Sequence, residues 1–150
     1  MRLRNLWFPI ILLALTGCGG GDGEVKLEKG PFLFVDRESL GFEQEFGSGT
    51  YIGTAPLNAL YLENRGDQPL AITAVVNAAP PEFTLQLPQE LTAGQTLTLQ
   101  SREHTTIQVQ FKPTKEQLYS GKFTLRTNAL NTPDKDIAVS GKGVKPPPNP

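Results

Sequence analysis

Apolar and polar residues alternate one by one in seven short segments: Leu60–Leu62, Leu70–Thr73, Phe83–Leu87, Leu97–Leu99, Ile107–Phe111, Phe123–Arg126 and Ile137–Ser140. Successive side chains of a strand point to opposite faces, so each segment predicts a strand with one apolar and one polar face. Between the segments stand turn formers: Asn64-Arg65-Gly66-Asp67, Ala79-Pro80-Pro81, Ala93-Gly94, Lys112-Pro113 and Asn131-Thr132-Pro133-Asp134. No segment carries a helical stripe; Lys115–Leu118 has room for one short turn. About seven or eight half-buried antiparallel strands must cover one another's apolar faces, which predicts an all-β, two-layer sandwich, with a closed barrel as the alternative architecture. The expected core is Leu62, Ile72, Phe83, Leu85, Val109, Phe111, Phe123, Leu125, Ile137 and Val139.

The sandwich predicted is of the immunoglobulin-like kind, but the Cys–Trp–Cys core of antibody domains is missing, since Cys18 is the only cysteine. Local motifs sharpen the picture. Leu60–Ile72 reads LYLENRGDQPLAI, followed by Val109–Thr114 (VQFKPT), Tyr119-Ser120-Gly121, Thr127-Asn128 and Val139–Gly143 (VSGKG). In this order the motifs resemble the ASH/hydin-type immunoglobulin-like domain, met in bacterial surface proteins as "choice-of-anchor D", over roughly residues 36 to 143. The resemblance implies a sandwich used for structure or binding rather than catalysis. Two departures stand out: Ala129 takes a place where many members have Asp, and Ala93 to Glu103 is about one strand longer than the pattern, with Thr96–Gln100 as an added strand or hairpin arm. Asn64 to Gly66 are expected to supply the positive φ angles of a tight hairpin turn. Pro113 is expected to end a strand by removing an amide donor. Tyr119 resembles the corner tyrosine of sandwich folds, whose hydroxyl binds nearby backbone.

The amino terminus carries a different signal. Arg2 and Arg4 precede the apolar run Leu6–Leu15, which has the length of a secretory segment and falls short of the roughly 20 residues that span a bilayer. It leads into Leu15-Thr16-Gly17-Cys18, which resembles the lipobox of bacterial lipoproteins. That resemblance implies a diacylglyceryl group on the Cys18 sulfur, cleavage between Gly17 and Cys18, and acylation of the new amino terminus. Several acyl chains together hold a protein firmly to a membrane where one holds it marginally. Gly19 in place of an aspartate after the cysteine implies sorting to the outer membrane. The expected organisation is a signal peptide at 1–17, a lipidated cysteine and flexible leash at 18–35, the sandwich at 36–143 and a Pro-rich tail at 144–150, extended because proline lacks an amide donor.

Charge and chemistry narrow the function. The cut chain keeps 12 basic and 15 acidic residues, net −3, with no basic stripe, so nucleic acid is not an expected partner. His104 is the single histidine and is read as a solvated loop residue, because the neighbouring Glu103 and Thr105 would point away from it. Asp134 and Asp136 lack the remaining ligands of a calcium loop. Glu43 and Glu45 share one face of a possible strand and read as solvated. No phosphate loop is present. The sequence thus points to no enzyme, no metal, no cofactor and no small-molecule substrate. It predicts a membrane-anchored interaction or structural module whose partners are the membrane, through the lipid, and another envelope protein; an accessory subunit of an envelope secretion or assembly complex is the alternative. Leu97 and Leu99 are the candidate partner contact, with plain addition of a strand as the competing role.

Overall fold

The computed structural model describes residues 26–43 and 49–147. Gly17, Cys18, Glu45 and the last three residues lie outside the described residues. Chain order is β1 (Leu33–Val35), β2 (Ser39–Phe42), β3 (Thr50–Tyr51), β4 (Leu57–Asn64), β5 (Leu70–Asn77), β6 (Phe83–Gln86), the single-turn α1 (Gln89–Thr92), β7 (Leu97–Leu99), β8 (His104–Phe111), β9 (Leu118–Thr127) and β10 (Asp134–Val144). All seven alternating segments of the sequence are strands, β4 to β10. Their burial alternates as the pattern requires, most plainly in β10, where Ile137, Val139 and Gly141 are buried between exposed neighbours.

The strands form two sheets. The first is β1-β4-β8-β6; the second is β2-β10-β9-β5-β7, with β3 also beside β10. Strands pair antiparallel except at the amino-terminal edge, where β2 and β3 run parallel to β10 one after the other. The chain therefore serves the first sheet through β1, crosses over, and serves the second through β2 and β3. Thr50 Oγ1 donates to the Phe42 carbonyl at 3.0 Å and ties the two pieces of this edge together.

Three expectations are corrected. Residues 28–35, read as leash, belong to the sandwich: Glu28 bridges Gly66, and β1 pairs with β4. The unbroken apolar run Phe32–Val35 hid this strand, because a continuous run has no period to read. The Asn64–Gly66 turn is not a hairpin: β4 and β5 lie in different sheets, and none of its residues has positive φ. Glu43 is not on a strand, since β2 ends at Phe42. At the other end β10 reaches Val144, one residue into the expected tail.

Nine of the ten predicted core residues are buried, and Leu85 packs half-buried against them. They are joined by Leu40, Phe42, Leu60, Leu70, Leu99 and Ile107. Phe42, Phe83 and Phe111 cluster with ring centroids 4.7–5.8 Å apart, and Tyr119 meets Phe111 edge-on at 5.5 Å. Gly141 is required by this cluster, as a β-carbon there would stand 2.5 Å from the Phe111 ring.

The sandwich has two poles. At one, β4 ends at Asn64, β8 begins at His104 and the segment 28–32 comes in beside Gly66. At the other, β9 begins and β10 leaves at Val144 beside Tyr51. Here the Tyr119 hydroxyl accepts from the Lys115 amide at 2.9 Å and the Thr114 amide at 3.3 Å, the corner role that the sequence suggested. Lys115–Gln117 form bends rather than a helical turn, and β9 starts at Leu118.

Candidate interaction surface

The pole where the chain comes in is organised by one side chain. Asn64 is fully buried. Its Oδ1 accepts from the Gly66 amide at 2.9 Å and the Phe32 amide at 3.3 Å. Its Nδ2 donates to the carbonyls of Gln68 at 2.8 Å and Leu99 at 3.0 Å. Its backbone donates to Glu103 and accepts from Arg102. A primary amide has two donors and one carbonyl acceptor, and all find protein partners here. Asn64 thereby joins the incoming segment, the β4–β5 turn and the β7–β8 turn. Gly66 permits the join: a β-carbon there would stand 1.9 Å from the Gly30 carbonyl oxygen. Asp67 Oδ1 accepts from the Gly30 amide at 2.6 Å and closes the corner.

Above this corner lies a groove of about 650 Å3 lined by Lys26, Glu28, Phe32, Phe34, Glu63, Arg65 and Arg102 among others. Its floor is ordered. Phe34 on β1 stands opposite Glu63 on β4, which stands opposite His104 on β8. The Arg65 guanidinium lies 3.2 Å above the Phe34 ring centre while its Nε donates to Glu63 at 3.0 Å. An arginine held by an aromatic face and a carboxylate loses little further entropy on binding. Beside it, Tyr61 and His104 stack with centroids 5.2 Å apart. His104 is exposed and begins a strand, so the loop position expected for it is corrected. The groove combines apolar rings with both signs of charge.

The other candidate residues are placed apart from it. Leu99 is buried and Leu97 half-buried; both face the core from β7, which pairs with β5, while Thr98 faces out. Asp136 is occupied by Lys122 Nζ at 2.6 Å and Thr124 Oγ1 at 2.5 Å, and these hydrogen bonds hold its carboxyl below the usual aspartate range. Among the described residues no group of His, Cys, Asp and Glu could hold a metal ion, and no helix is long and apolar enough to cross a membrane. The groove was missed in the sequence because its residues come from four separated stretches; the Phe32–Phe34 run ahead of the first recognised strand was the available signal.

Side chains bond backbone groups on three edge strands, β1, β2 and β6. Asn131 Oδ1 accepts from the Leu33 amide at 3.0 Å and Asn131 Nδ2 donates to the Leu33 carbonyl at 2.9 Å, along the open side of β1. Asn58 Nδ2 donates to the Gly41 carbonyl on β2 at 3.2 Å, and Asn77 Nδ2 to the Phe83 carbonyl on β6 at 3.4 Å.

Two sheets, the split amino-terminal edge and the Tyr119 corner are the geometry against which relatives can be compared. The family model of Cep192 domain 4 matches residues 37–144. The chain belongs to the Cep192 domain 4 family. Its fold is an ASH-type immunoglobulin-like domain, as the order of motifs implied. Among solved structures, the ASH/PapD-like domain of human CEP192 (PapD-like domain 7) aligns over 98% of this chain and 99% of its own, at 15% identity and a TM-score of 0.56. A Porphyromonas gingivalis W83 protein of unknown function aligns over 81% of this chain at 14% identity and a TM-score of 0.59, and this chain spans about half (51%) of its length. The secreted serine protease VesC of Vibrio cholerae aligns over 85% of this chain but only 25% of its own, at 12% identity and a TM-score of 0.51. At these identities the likeness is one of fold. No curated protein matches the chain in sequence.

Proposed function

We propose that this Cep192 domain 4 family member is a lipid-anchored, non-enzymatic interaction module of the bacterial cell envelope. The observation that carries the reading is the pairing of two features in one chain: an ASH-type sandwich, and Leu15-Thr16-Gly17-Cys18 placed directly ahead of it. Lys26 stands eight positions after Cys18, a span of at most about 29 Å. An anchor at Cys18 would therefore hold the Asn64 pole near the membrane and present the Tyr119 pole outward. The groove over Phe34 and Arg65 supports a protein or peptide partner, because it offers aromatic surface and a pre-positioned guanidinium. Gly19 after the cysteine supports an outer-membrane destination.

Mass spectrometry of the mature amino-terminal peptide tests the anchor: an acylated Cys18 is expected, and an unmodified thiol or cleavage elsewhere overturns it. Cys18→Ser should leave uncut precursor or released protein. Density fractionation with inner-membrane markers would overturn the outer-membrane destination. Cross-linking in intact cells tests the interaction role: a partner captured by the parent and lost in Phe34→Ala with Arg65→Ala supports the groove, whereas an unchanged set of partners removes it from the contact.

A further inference from the structure

Three separate stretches bring positive charge to the groove above the Asn64 corner. Lys26 comes from the incoming segment, Arg65 from the β4–β5 turn and Arg102 from the β7–β8 turn. Arg65 is held on two sides, by the Phe34 ring beneath it and by the bond from its Nε to Glu63. Among the described residues its two terminal nitrogens meet no hydrogen-bond acceptor, and the side chain is 46% exposed. Arg102 stands where glycine would be expected. The Glu103 amide donates to the Gln100 carbonyl at 2.9 Å and closes a four-residue turn whose third residue is Arg102. The φ of Arg102 is 65°, the one positive value at a non-glycine among the described residues. Glycine serves such a turn position without strain, and a bulky residue kept there points to a use for its side chain. The carboxylates of this pole are mostly engaged: Glu63 by Arg65, Asp67 by the Gly30 amide and Glu103 by the Gln100 amide. The lining thus holds three cations against Glu28 and an already engaged Glu63.

We propose that this groove is a receptor for an acidic peptide, an inference that rests on the reading of the groove as a contact surface. A carboxylate of the partner sits on the terminal nitrogens of Arg65, Lys26 and Arg102 add attraction, and an apolar side chain beside that carboxylate packs on Leu27 and Phe32. The chemistry selects this partner. A guanidinium edge offers two parallel N–H donors that match the two oxygens of a carboxylate. A fork already fixed by a ring and a carboxylate loses little freedom when it binds. Glu28 and Glu63 stand in the same lining and oppose the greater charge of a phosphate, so a lipid headgroup suits the groove less well.

The test is selection from a random peptide library on the full-length chain in detergent. The bound pool is expected to be enriched in Asp or Glu next to an apolar residue. The best binder, remade with Asn for Asp or Gln for Glu, should bind about tenfold more weakly, and its acidic form should weaken as salt rises. Arg65→Lys keeps the charge and removes the fork. It should weaken the acidic peptide by about the same factor and leave the amide peptide unchanged, a coupling that a merely structural role would not produce. The comparison of acid with amide is made on the parent, so it stands even where a variant fails to fold. A pool that depends on Phe34 by Phe34→Ala but shows no preference for acids overturns the carboxylate receptor and leaves the groove as a contact. A pool indifferent to both Arg65→Lys and Phe34→Ala, or no bound pool at all, overturns both. Displacement of the acidic peptide by glycerol phosphate at equal concentration assigns the groove to a headgroup and overturns the peptide.

Discussion

Asn64 shows how one polar side chain can set a tertiary corner. It is buried with four side-chain hydrogen bonds to residues spread from Phe32 to Leu99. Truncation leaves two amides and two carbonyls short of a partner, so Asn64→Ala is expected to cost about 3 kcal/mol in urea unfolding, near the top of the range for one buried polar group. The sequence singles out this residue for another reason: Asn-Arg-Gly reads as a turn, and the structure uses the amide instead. What the turn pattern could not convey is that the partners lie in other stretches of chain. Tyr119 was read in its true role, because a corner tyrosine bonds backbone only four or five residues away; Tyr119→Phe should cost about 1 kcal/mol by the same measurement. Gly143 belongs to the same pole: its β-carbon would stand 2.1 Å from the Lys115 carbonyl oxygen, so Gly143→Ala should lower stability by about 1–3 kcal/mol through a forced backbone shift.

Among the elements, β4 to β10 were legible because one face of each is buried and one is wet, and period two follows from that. The elements β1 to β3 were not. Phe32–Val35 is apolar throughout, β3 is two residues long, and the parallel pairing of β2 with β10 joins residues 99 positions apart, as in Ser39 with Ala138. The groove shared this fate, since Phe32 and Phe34 in its lining come from the stretch that holds β1. The strand β7 was legible as a strand, and its leucines now have a place. Leu99 is 2% exposed and covers the core edge beside Leu70. Leu97→Lys with Leu99→Lys is therefore expected to lower the urea midpoint strongly, as Leu99→Ala alone should cost about 2–5 kcal/mol. A double variant that keeps its midpoint while losing a co-purified partner would instead assign these leucines to a contact.

For the molecule as a whole, acid is the informative perturbation. Hydrogen bonds from Lys122 and Thr124 hold the Asp136 carboxyl below the ordinary aspartate value of 3.8, and a hydrogen bond from Lys135 holds Glu38 below the ordinary glutamate value of 4.5. A carboxyl lowered in the folded state stabilises it above the unfolded value, and that contribution disappears as pH falls through the folded value. The urea midpoint should thus be level through neutral pH and decline once pH drops below these ordinary values. Both carboxyls are exposed, so the decline should be small and should shrink in high salt. Lys122→Met should reduce it further, and an unchanged acid profile in that variant would remove Asp136 from the cause.

The split amino-terminal edge also decides how the domain bears load. β2 and β3 run parallel to β10, and the chain comes in at one pole and leaves at the other. Tension applied between residues 26 and 147 pulls these strands past each other along their length, so their ladder bonds are strained together instead of being unzipped one at a time. Forced rupture is governed by the unfolding rate, and a ladder strained all at once gives a high barrier. A molecule tethered by its amino-terminal side and drawn on from its far pole would hold as a mechanical clamp. The same domain pulled through β9 and β10, which are antiparallel neighbours, should peel open at lower force.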